Sequence, residues 1–195
     1  MIARHDVVVL AGGRATRMGG VDKVTVTLAG RSALDRVLDA VRGDDTTARV
    51  VVVGPRRTTR EQVTWCRESP PGGGPLAAVA AALPHTDADT VLVVAGDMPR
   101  VGAALGPLLA ALAADPAVEV ATLRDDTGRT QPLAAAYRRE TLVRRVAEVG
   151  NPAGRPARLL LDGVVRAEVT VDGAGDDCDT WDDVRRLDEE LSRDR

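Results

Sequence analysis

Two groups of charged residues, far apart in the chain, have the chemistry to bind a phosphorylated ligand and a metal ion. The first follows the apolar segment Val7–Leu10 and contains the glycine pair Gly12 and Gly13, whose backbone N–H groups could cradle phosphate oxygens. Lys23, in the same segment, is the only lysine among 26 basic residues. Because lysine carries a compact, mobile charge whereas arginine is a planar fork, Lys23 is a candidate phosphate ligand.

The glycine segment matches neither of two common phosphate-binding motifs. It has no Gly-Lys-Ser/Thr of a Walker A loop and no G-x-G-x-x-G of a Rossmann loop. Arg14 and Arg17 add positive charge to it. A glycine pair after a strand is also compatible with a tight turn carrying surface arginines, so the prediction of a phosphate site depends on other residues of the chain.

The second group begins with Asp97 in the stretch VLVVAGDMPRV, directly after a buried strand. Pro99 disfavours the helical conformation of Met98, which indicates a defined turn. A carboxylate at the carboxyl end of a strand, facing a phosphate loop, is suited to Mg²⁺, which prefers one or two carboxylates plus phosphate oxygens and water. The alternative is a turn aspartate that only bonds its own backbone.

A third stretch, GDDCDTWDD (Gly175–Asp183), is acidic. Asp177 or Asp179 could supply the other metal carboxylate, and the sequence does not choose between them. Asp182 and Asp183 are better explained by the first turn of a helix, where acidic residues favour the helix dipole.

The pattern of secondary structure predicts an α/β protein. Short β-branched segments alternate with helical patterns, which favours a three-layer α/β/α sandwich with a mostly parallel, Rossmann-like central sheet, formed by one domain over residues 1–195. The predicted strands are Val7–Leu10, Arg49–Val53, Thr90–Ala95, Glu119–Thr122, Leu133–Tyr137 and Val164–Val171. The predicted helices are 33–41 capped by Ser32, Gly74–Leu83, Ala103–Ala114, Glu140–Val149, a short Ala153–Leu161, and Asp182–Leu191 with a capping box from Thr180 to Asp183.

Composition argues against several classes of protein. A net charge of −3 and an aromatic content of 2% disfavour nucleic-acid binding. No apolar run approaches a membrane span or a signal peptide. Cys66 and Cys178 are far apart, which predicts free thiols in a reducing cytoplasm, not a disulfide or zinc framework.

Five segments occur in an order that resembles one known family. They are LAGGRATRMGGVDK, GGGPLAAV, AGDMP, QPLAAAY and DCDTWDDV. Together they resemble the molybdenum cofactor guanylyltransferases, which belong to the nucleotidyltransferases with a glycosyltransferase-A-like α/β/α fold. The resemblance extends over nearly the whole chain, and LAGG-x3-RMGG-x-DK is its most specific part.

The resemblance implies roles for particular residues. Lys23, with help from Arg17, would neutralise the phosphates of GTP, and Asp97 would bind Mg²⁺ with Asp177 or Asp179 nearby. Gln131 and Pro132 would lie on the pterin side. The residues implied to contact the nucleotide are Leu10, Ala11, Gly12, Gly13, Lys23, Glu68 and Asp97.

The sequence departs from the family pattern at three places. Gly54 and Pro55 stand where the family often has Asn, a residue that the resemblance implies contacts the nucleoside. Glu68 stands where Asp is usual before the GPLA segment. Trp181 replaces a Pro at the first position of the last helix, where we expect little effect.

The implied reaction joins GTP to molybdopterin-bound molybdenum, giving the guanine dinucleotide cofactor and pyrophosphate. Proteins that insert molybdenum or receive the finished cofactor are the implied partners. Three alternatives stay open: a molybdopterin cytidylyltransferase that uses CTP, a sugar-1-phosphate nucleotidyltransferase, and a non-catalytic nucleotide-binding module.

Overall fold

The computed structural model describes residues 4–13 and 18–193. Its strands are β1 (His5–Leu10), β2 (Thr27–Leu28), β3 (Arg31–Ser32), β4 (Thr47–Val53), β5 (Thr64–Cys66), β6 (Thr90–Ala95), β7 (Val120–Arg124), β8 (Thr130–Arg138) and β9 (Arg166–Thr170). Its helices are α1 (Ala33–Arg42), α2 (Pro75–Ala82), α3 (Gly102–Ala114), α4 (Arg139–Val149) and α5 (Trp181–Arg193).

Seven of these strands form one sheet in the order β5-β4-β1-β6-β8-β7-β9. Strands β5, β4, β1 and β6 pair in parallel, as do β7 and β9, whereas β8 runs antiparallel to both of its neighbours. The mostly parallel sheet with flanking helices confirms the predicted fold class. Because β8 runs the other way, its first residues lie at the edge of the sheet where the parallel strands end.

The two faces of the sheet are packed by different helices. Val7 and Val9 of β1 point into a core shared with α1 and α3, and Val8 points into a core shared with α2 and α4. Successive strand residues face opposite sides, so a strand that is apolar throughout must be covered on both. All six residues of β1 are buried, as this position in the middle of the sheet requires.

The helix ends follow the predicted signals. The Ser32 hydroxyl accepts a hydrogen bond from the N–H of Asp35 at the start of α1. At the start of α5, Thr180 N–H donates to Asp183 Oδ2 and Asp183 N–H donates to Thr180 Oγ1, which confirms the capping box. In the described ranges, no helix combines the length and apolarity needed to cross a bilayer.

One predicted helix is wrong. Only residues Ala157–Leu161 of the expected 153–161 segment are helical, and they form a 3₁₀ turn. Gly154 has a positive φ of 72° and Pro156 is extended at ψ 146°, so the chain cannot begin an α-helix before residue 157. The short strands β2, β3 and β5 were not predicted.

Candidate active site

The loop after β1 lies against the loops that follow β4 and β6. Ala11 N–H donates to the carbonyl of Val53 at 2.8 Å, and Gly96 N–H donates to the carbonyl of Leu10 at 2.8 Å. The carboxyl ends of parallel strands meet at one edge of a sheet, where α/β proteins bind ligands. A pocket of about 150 Å³ opens there, lined by Leu10, Gly12, Gly13, Asp22, Lys23, Val24 and Asp97.

Gly54 packs directly onto this loop. A Cβ atom at Gly54 would lie 2.6 Å from the carbonyl oxygen of Ala11, and the residue has a φ of 148°. No L side chain fits such an approach, so glycine at this position brings the loop after β4 against the backbone of the glycine segment. This is the structural setting of the departure noted at Gly54 and Pro55.

Lys23 lines the pocket together with the glycine pair. It begins a 3₁₀ turn, Lys23–Thr25, and its Nζ hydrogen-bonds the Asp179 carboxylate and lies 3.9 Å from Asp97 Oδ2. Partial burial lowers the pKa of Lys23, but the hydrogen bond that Lys23 donates to Asp179 and the charge of Asp97 outweigh it and raise that pKa above its usual value. The ammonium group is therefore held charged between two carboxylates.

The acidic loop before α5, residues 175–180, is hydrogen-bonded to Asp97 through its backbone. Cys178 N–H donates to the carbonyl of Asp97 at 3.1 Å, which brings the side chains on either side of Cys178 to the same edge. Arg186 of α5 anchors this loop through a 2.6 Å ion pair with Asp176. The candidates Asp177 and Asp179 thus lie next to Asp97, although about 80 residues separate them from it in sequence.

The carboxylates repel one another. Burial, and then the charge of Asp179, raise the pKa of Asp97, while Lys23 opposes that rise. Burial, followed by the charges of Asp179 and Asp97, raises the pKa of Asp177 to about 6. Raised carboxyl pKa values of this origin mark a place where a further positive charge would be stabilised.

This donor set suits Mg²⁺ that also binds a phosphorylated ligand. Among the described residues, no group of three or more His, Cys, Asp or Glu side chains is arranged to hold a metal by itself. Asp97 and Asp179 nevertheless lie within reach of one Lys23 ammonium, and hard carboxylate oxygens completed by phosphate oxygens and water are the usual magnesium ligands.

Glu68 lies near Gly12 of the glycine pair. It is 8% exposed, and its Oε1 accepts a hydrogen bond from Gly72 N–H at 2.8 Å. A Cβ atom on Gly12 would lie 3.9 Å from that oxygen. The Oε2 atom is buried without a hydrogen-bond partner in the described ranges, which leaves one strong acceptor beside the glycine loop.

Gln131 and Pro132 lie at the start of β8, at the same edge of the sheet. The Gln131 amide donates to Asp125 Oδ2 at 2.6 Å, and the Pro132 carbonyl accepts from the Tyr137 hydroxyl at 2.8 Å. A Cβ atom on Gly175 would lie 3.1 Å from Asp125 Cβ, so this hairpin touches the acidic loop. No described hydrogen bond or ion pair joins Gln131 or Pro132 to the pocket itself.

Two arginines of the glycine segment, Arg14 and Arg17, fall outside the described ranges. Asp22 belongs to the DK pair of the quoted motif but was given no role of its own, and it lines the pocket. Arg57 binds Asp22 with an Nη2–Oδ2 distance of 2.6 Å, and as one of many arginines it gave no sequence signal.

Comparison with known proteins gives a consistent family. The family described as "MobA-like NTP transferase domain" matches residues 7–166. The chain is 35% identical over 130 residues to a molybdenum cofactor guanylyltransferase from Shewanella baltica, an alignment that covers 64% of this chain and 65% of the relative. It is also 35% identical over 166 residues to the bifunctional protein GlmU from Azoarcus, covering 75% of this chain but only 36% of that protein.

A solved structure supports the fold. The molybdopterin-guanine dinucleotide biosynthesis protein A from Archaeoglobus fulgidus superposes with a TM-score of 0.67 at 22% identity, covering 96% of this chain and 99% of that one. The match extends through the sheet and its flanking helices. The chain spans less than two thirds of the length of the two curated relatives described above.

Proposed function

We propose, from the premise that this chain belongs to the family of MobA-like NTP transferase domains, that it transfers GMP from GTP to molybdopterin-bound molybdenum. The products would be the guanine dinucleotide cofactor and pyrophosphate. Relatives named molybdenum cofactor guanylyltransferase, at 35% identity, support this substrate pair. Such biosynthetic chemistry fits a cytoplasmic location and partner proteins that supply molybdopterin or receive the cofactor.

The observation that carries the proposal is the meeting of three charged groups at the glycine loop. Lys23 and Asp97 line one pocket with Gly12 and Gly13, and Asp179 is paired with Lys23. A cation, backbone donors and a pair of carboxylates are the groups that a magnesium–triphosphate requires. Leu10 and Ala11 continue the same backbone and would contact the nucleoside.

The chemistry would depend on alignment and charge. The attacking group is a phosphate of the pterin substrate, which is already an anion, so no general base is needed. Mg²⁺, held by Asp97 with Asp179 or Asp177, would supply charge neutralisation at the phosphates. Lys23, together with Arg17, would stabilise the negative charge that grows on the departing pyrophosphate. The glycine loop would fix the α-phosphorus for in-line attack.

The position of Glu68 favours guanine as the base. The guanine edge carries a ring N–H and an amino group side by side, and a carboxylate can accept from both. Cytosine presents an amino group beside an unprotonated ring nitrogen, whose lone pair would face the carboxylate. The Glu68 carboxylate, whose Oε1 lies beside Gly12, supports GTP over CTP as the nucleotide. Gln131 and Pro132 are proposed to face the pterin.

The test is an assay of the purified protein with molybdopterin-bound molybdenum, Mg²⁺, and either GTP or CTP. We expect a guanine dinucleotide and pyrophosphate from GTP. Asp97→Ala should abolish magnesium-dependent turnover while leaving the far-UV circular dichroism unchanged. An unaltered magnesium titration in that variant would remove Asp97 from the metal site.

The same assay separates the alternatives. Faster turnover with CTP would identify a cytidylyltransferase, and product from mannose-1-phosphate would identify a sugar-1-phosphate enzyme. Tight GTP binding without pyrophosphate release would identify a non-catalytic binding module.

A further inference from the structure

Arg57 reaches across from the loop after β4 to the wall of the nucleotide pocket. Its Nε lies 2.7 Å and its Nη2 2.6 Å from Oδ2 of Asp22, so two donors of one guanidinium converge on one carboxylate oxygen. Its Nη1 donates to the carbonyl of Pro55 at 2.8 Å. The Arg57 side chain is only 14% exposed, which indicates a held ion pair and not a mobile surface contact.

Asp22 is an unexpected residue for a phosphate pocket. It lines the cavity together with Gly12, Gly13 and Lys23, where the proposed ligand carries several negative charges. A bare carboxylate there would repel a triphosphate and would compete with it for Lys23. The pairing with Arg57 cancels that charge.

Asp22 also starts the turn that carries Lys23. Its carbonyl accepts hydrogen bonds from Thr25 N–H at 3.0 Å and Thr25 Oγ1 at 2.8 Å, which closes the 3₁₀ turn. Arg57 therefore ties the loop after β4 to the segment whose next residue is the candidate phosphate-binding lysine.

We propose that Arg57 is a positioning residue for triphosphate binding, acting by neutralising Asp22 and by fixing the turn of Lys23. The inference rests on the proposed function only in that the ligand is a triphosphate. It requires neither the guanine base nor the pterin acceptor. Removing Arg57 would expose the Asp22 carboxylate to the ligand, and removing that carboxylate as well would relieve the repulsion.

The test measures binding of inorganic triphosphate with Mg²⁺ by isothermal titration calorimetry. Arg57→Ala should weaken binding by about tenfold at low salt. This is the magnitude expected when one charge is removed at a distance where solvent partly screens its interaction with the ligand. The loss should shrink in 0.5 M salt because the effect is electrostatic. The double variant Asp22→Asn/Arg57→Ala should recover most of the affinity. Arg56→Ala removes a neighbouring exposed arginine and should bind as the wild type does.

The outcomes separate charge compensation from a purely structural role. If the double variant binds as weakly as Arg57→Ala, or if the loss is independent of salt, then neutralisation of Asp22 is refuted. Equal affinity of Arg57→Ala and wild type would overturn the proposal altogether, as would absence of triphosphate binding in the wild type. Triphosphate binding with the expected variant pattern but without turnover of GTP would leave this inference standing and remove the proposed function.

Discussion

The Nζ of Lys23 hydrogen-bonds the Asp179 carboxylate, although 156 residues separate the two in sequence. One residue lies on the loop after the first strand and the other on the loop before the last helix. The contact brings the positive and the negative halves of the candidate site together. Lys23 is therefore engaged by carboxylates, and in the proposed function it would exchange them for phosphate oxygens.

Replacing Lys23 tests its role in the transfer. Lys23→Ala should lower guanylyl transfer by roughly 10²–10³-fold, the range for loss of one preorganised charge-stabilising donor. Lys23→Arg keeps the charge but places a planar fork between two carboxylates, and we expect it to restore little activity. Steady-state kinetics and circular dichroism would check this, and an Ala variant with wild-type activity would exclude the lysine from the mechanism.

The pairing of Lys23 also affects metal binding in the absence of nucleotide. Lys23→Met retains the length of the side chain without its charge, so Asp97 and Asp179 lose the positive charge of Lys23. We expect Mn²⁺, titrated by electron paramagnetic resonance, to bind about tenfold more tightly than to the wild type. Arg49→Met, which breaks an exposed ion pair with Asp87, is the matched control. Weaker Mn²⁺ binding in Lys23→Met would contradict this arrangement.

Glu68 is expected to discriminate between nucleotides. Glu68→Gln converts the unpartnered acceptor into an amide, and the affinity for GTP should fall by about tenfold, as for loss of a hydrogen bond to a charged group. The affinity for CTP should change little, which makes it the internal control. Equal losses for GTP and CTP in a binding titration would show that Glu68 acts on the loop and not on the base.

Gly54 is expected to be intolerant of any side chain. Gly54→Ala would place Cβ 2.6 Å from the Ala11 carbonyl at a positive φ, so we expect a loss of roughly 3 kcal/mol in the free energy of unfolding. Gly106→Ala is the control, because apart from its chain neighbours and the backbone of α3 no atom lies within 4 Å of its Cβ position. Because Pro107 follows and disfavours the helical conformation of a preceding residue that has a Cβ, no gain is expected, but the change in the free energy of unfolding should be much smaller than for Gly54→Ala. Urea denaturation of both variants measures the difference.

Asp125 links stability to pH at the edge of the sheet where β8 begins. Although partial burial raises its pKa, hydrogen bonds from Thr127, Arg129 and Gln131 outweigh that effect and hold the pKa below the usual value. A depressed carboxyl pKa contributes stability that is present above the unfolded value of 3.8 and lost as the pH falls through the folded value. Asp125→Asn should therefore cost about 1 kcal/mol at pH 7 and progressively less below pH 4, by urea denaturation.

The same variant has a functional readout. Because Gln131 donates to Asp125, we expect Asp125→Asn to raise the KM for the pterin substrate more than the KM for GTP. A rise in the KM for GTP alone would place Gln131 on the nucleotide side.

Elements whose pattern of apolar and capping residues is contained within a few neighbouring residues could be predicted from sequence. Thr90–Ala95 is a strand with the expected bounds, and the caps of α1 and α5 lie where Ser32 and Thr180 predicted them. These features depend on residues within one or two turns of each other. The short strand β5 has no such signal, because a three-residue edge strand is defined by its pairing with β4. The antiparallel direction of β8 likewise depends on which neighbours it joins.

The sequence by itself determined which residue types were present for the chemistry: a glycine pair after an apolar strand, one lysine, and carboxylates at a strand end and before the last helix. Only the tertiary structure decided how they pair, with Lys23 between Asp97 and Asp179, and Arg57 on Asp22. The physical reason is the distance along the chain between the residues that determine each feature. Strand and helix patterns record which face of a local segment is buried, whereas an ion pair between distant loops depends on the order and register of the strands that carry them.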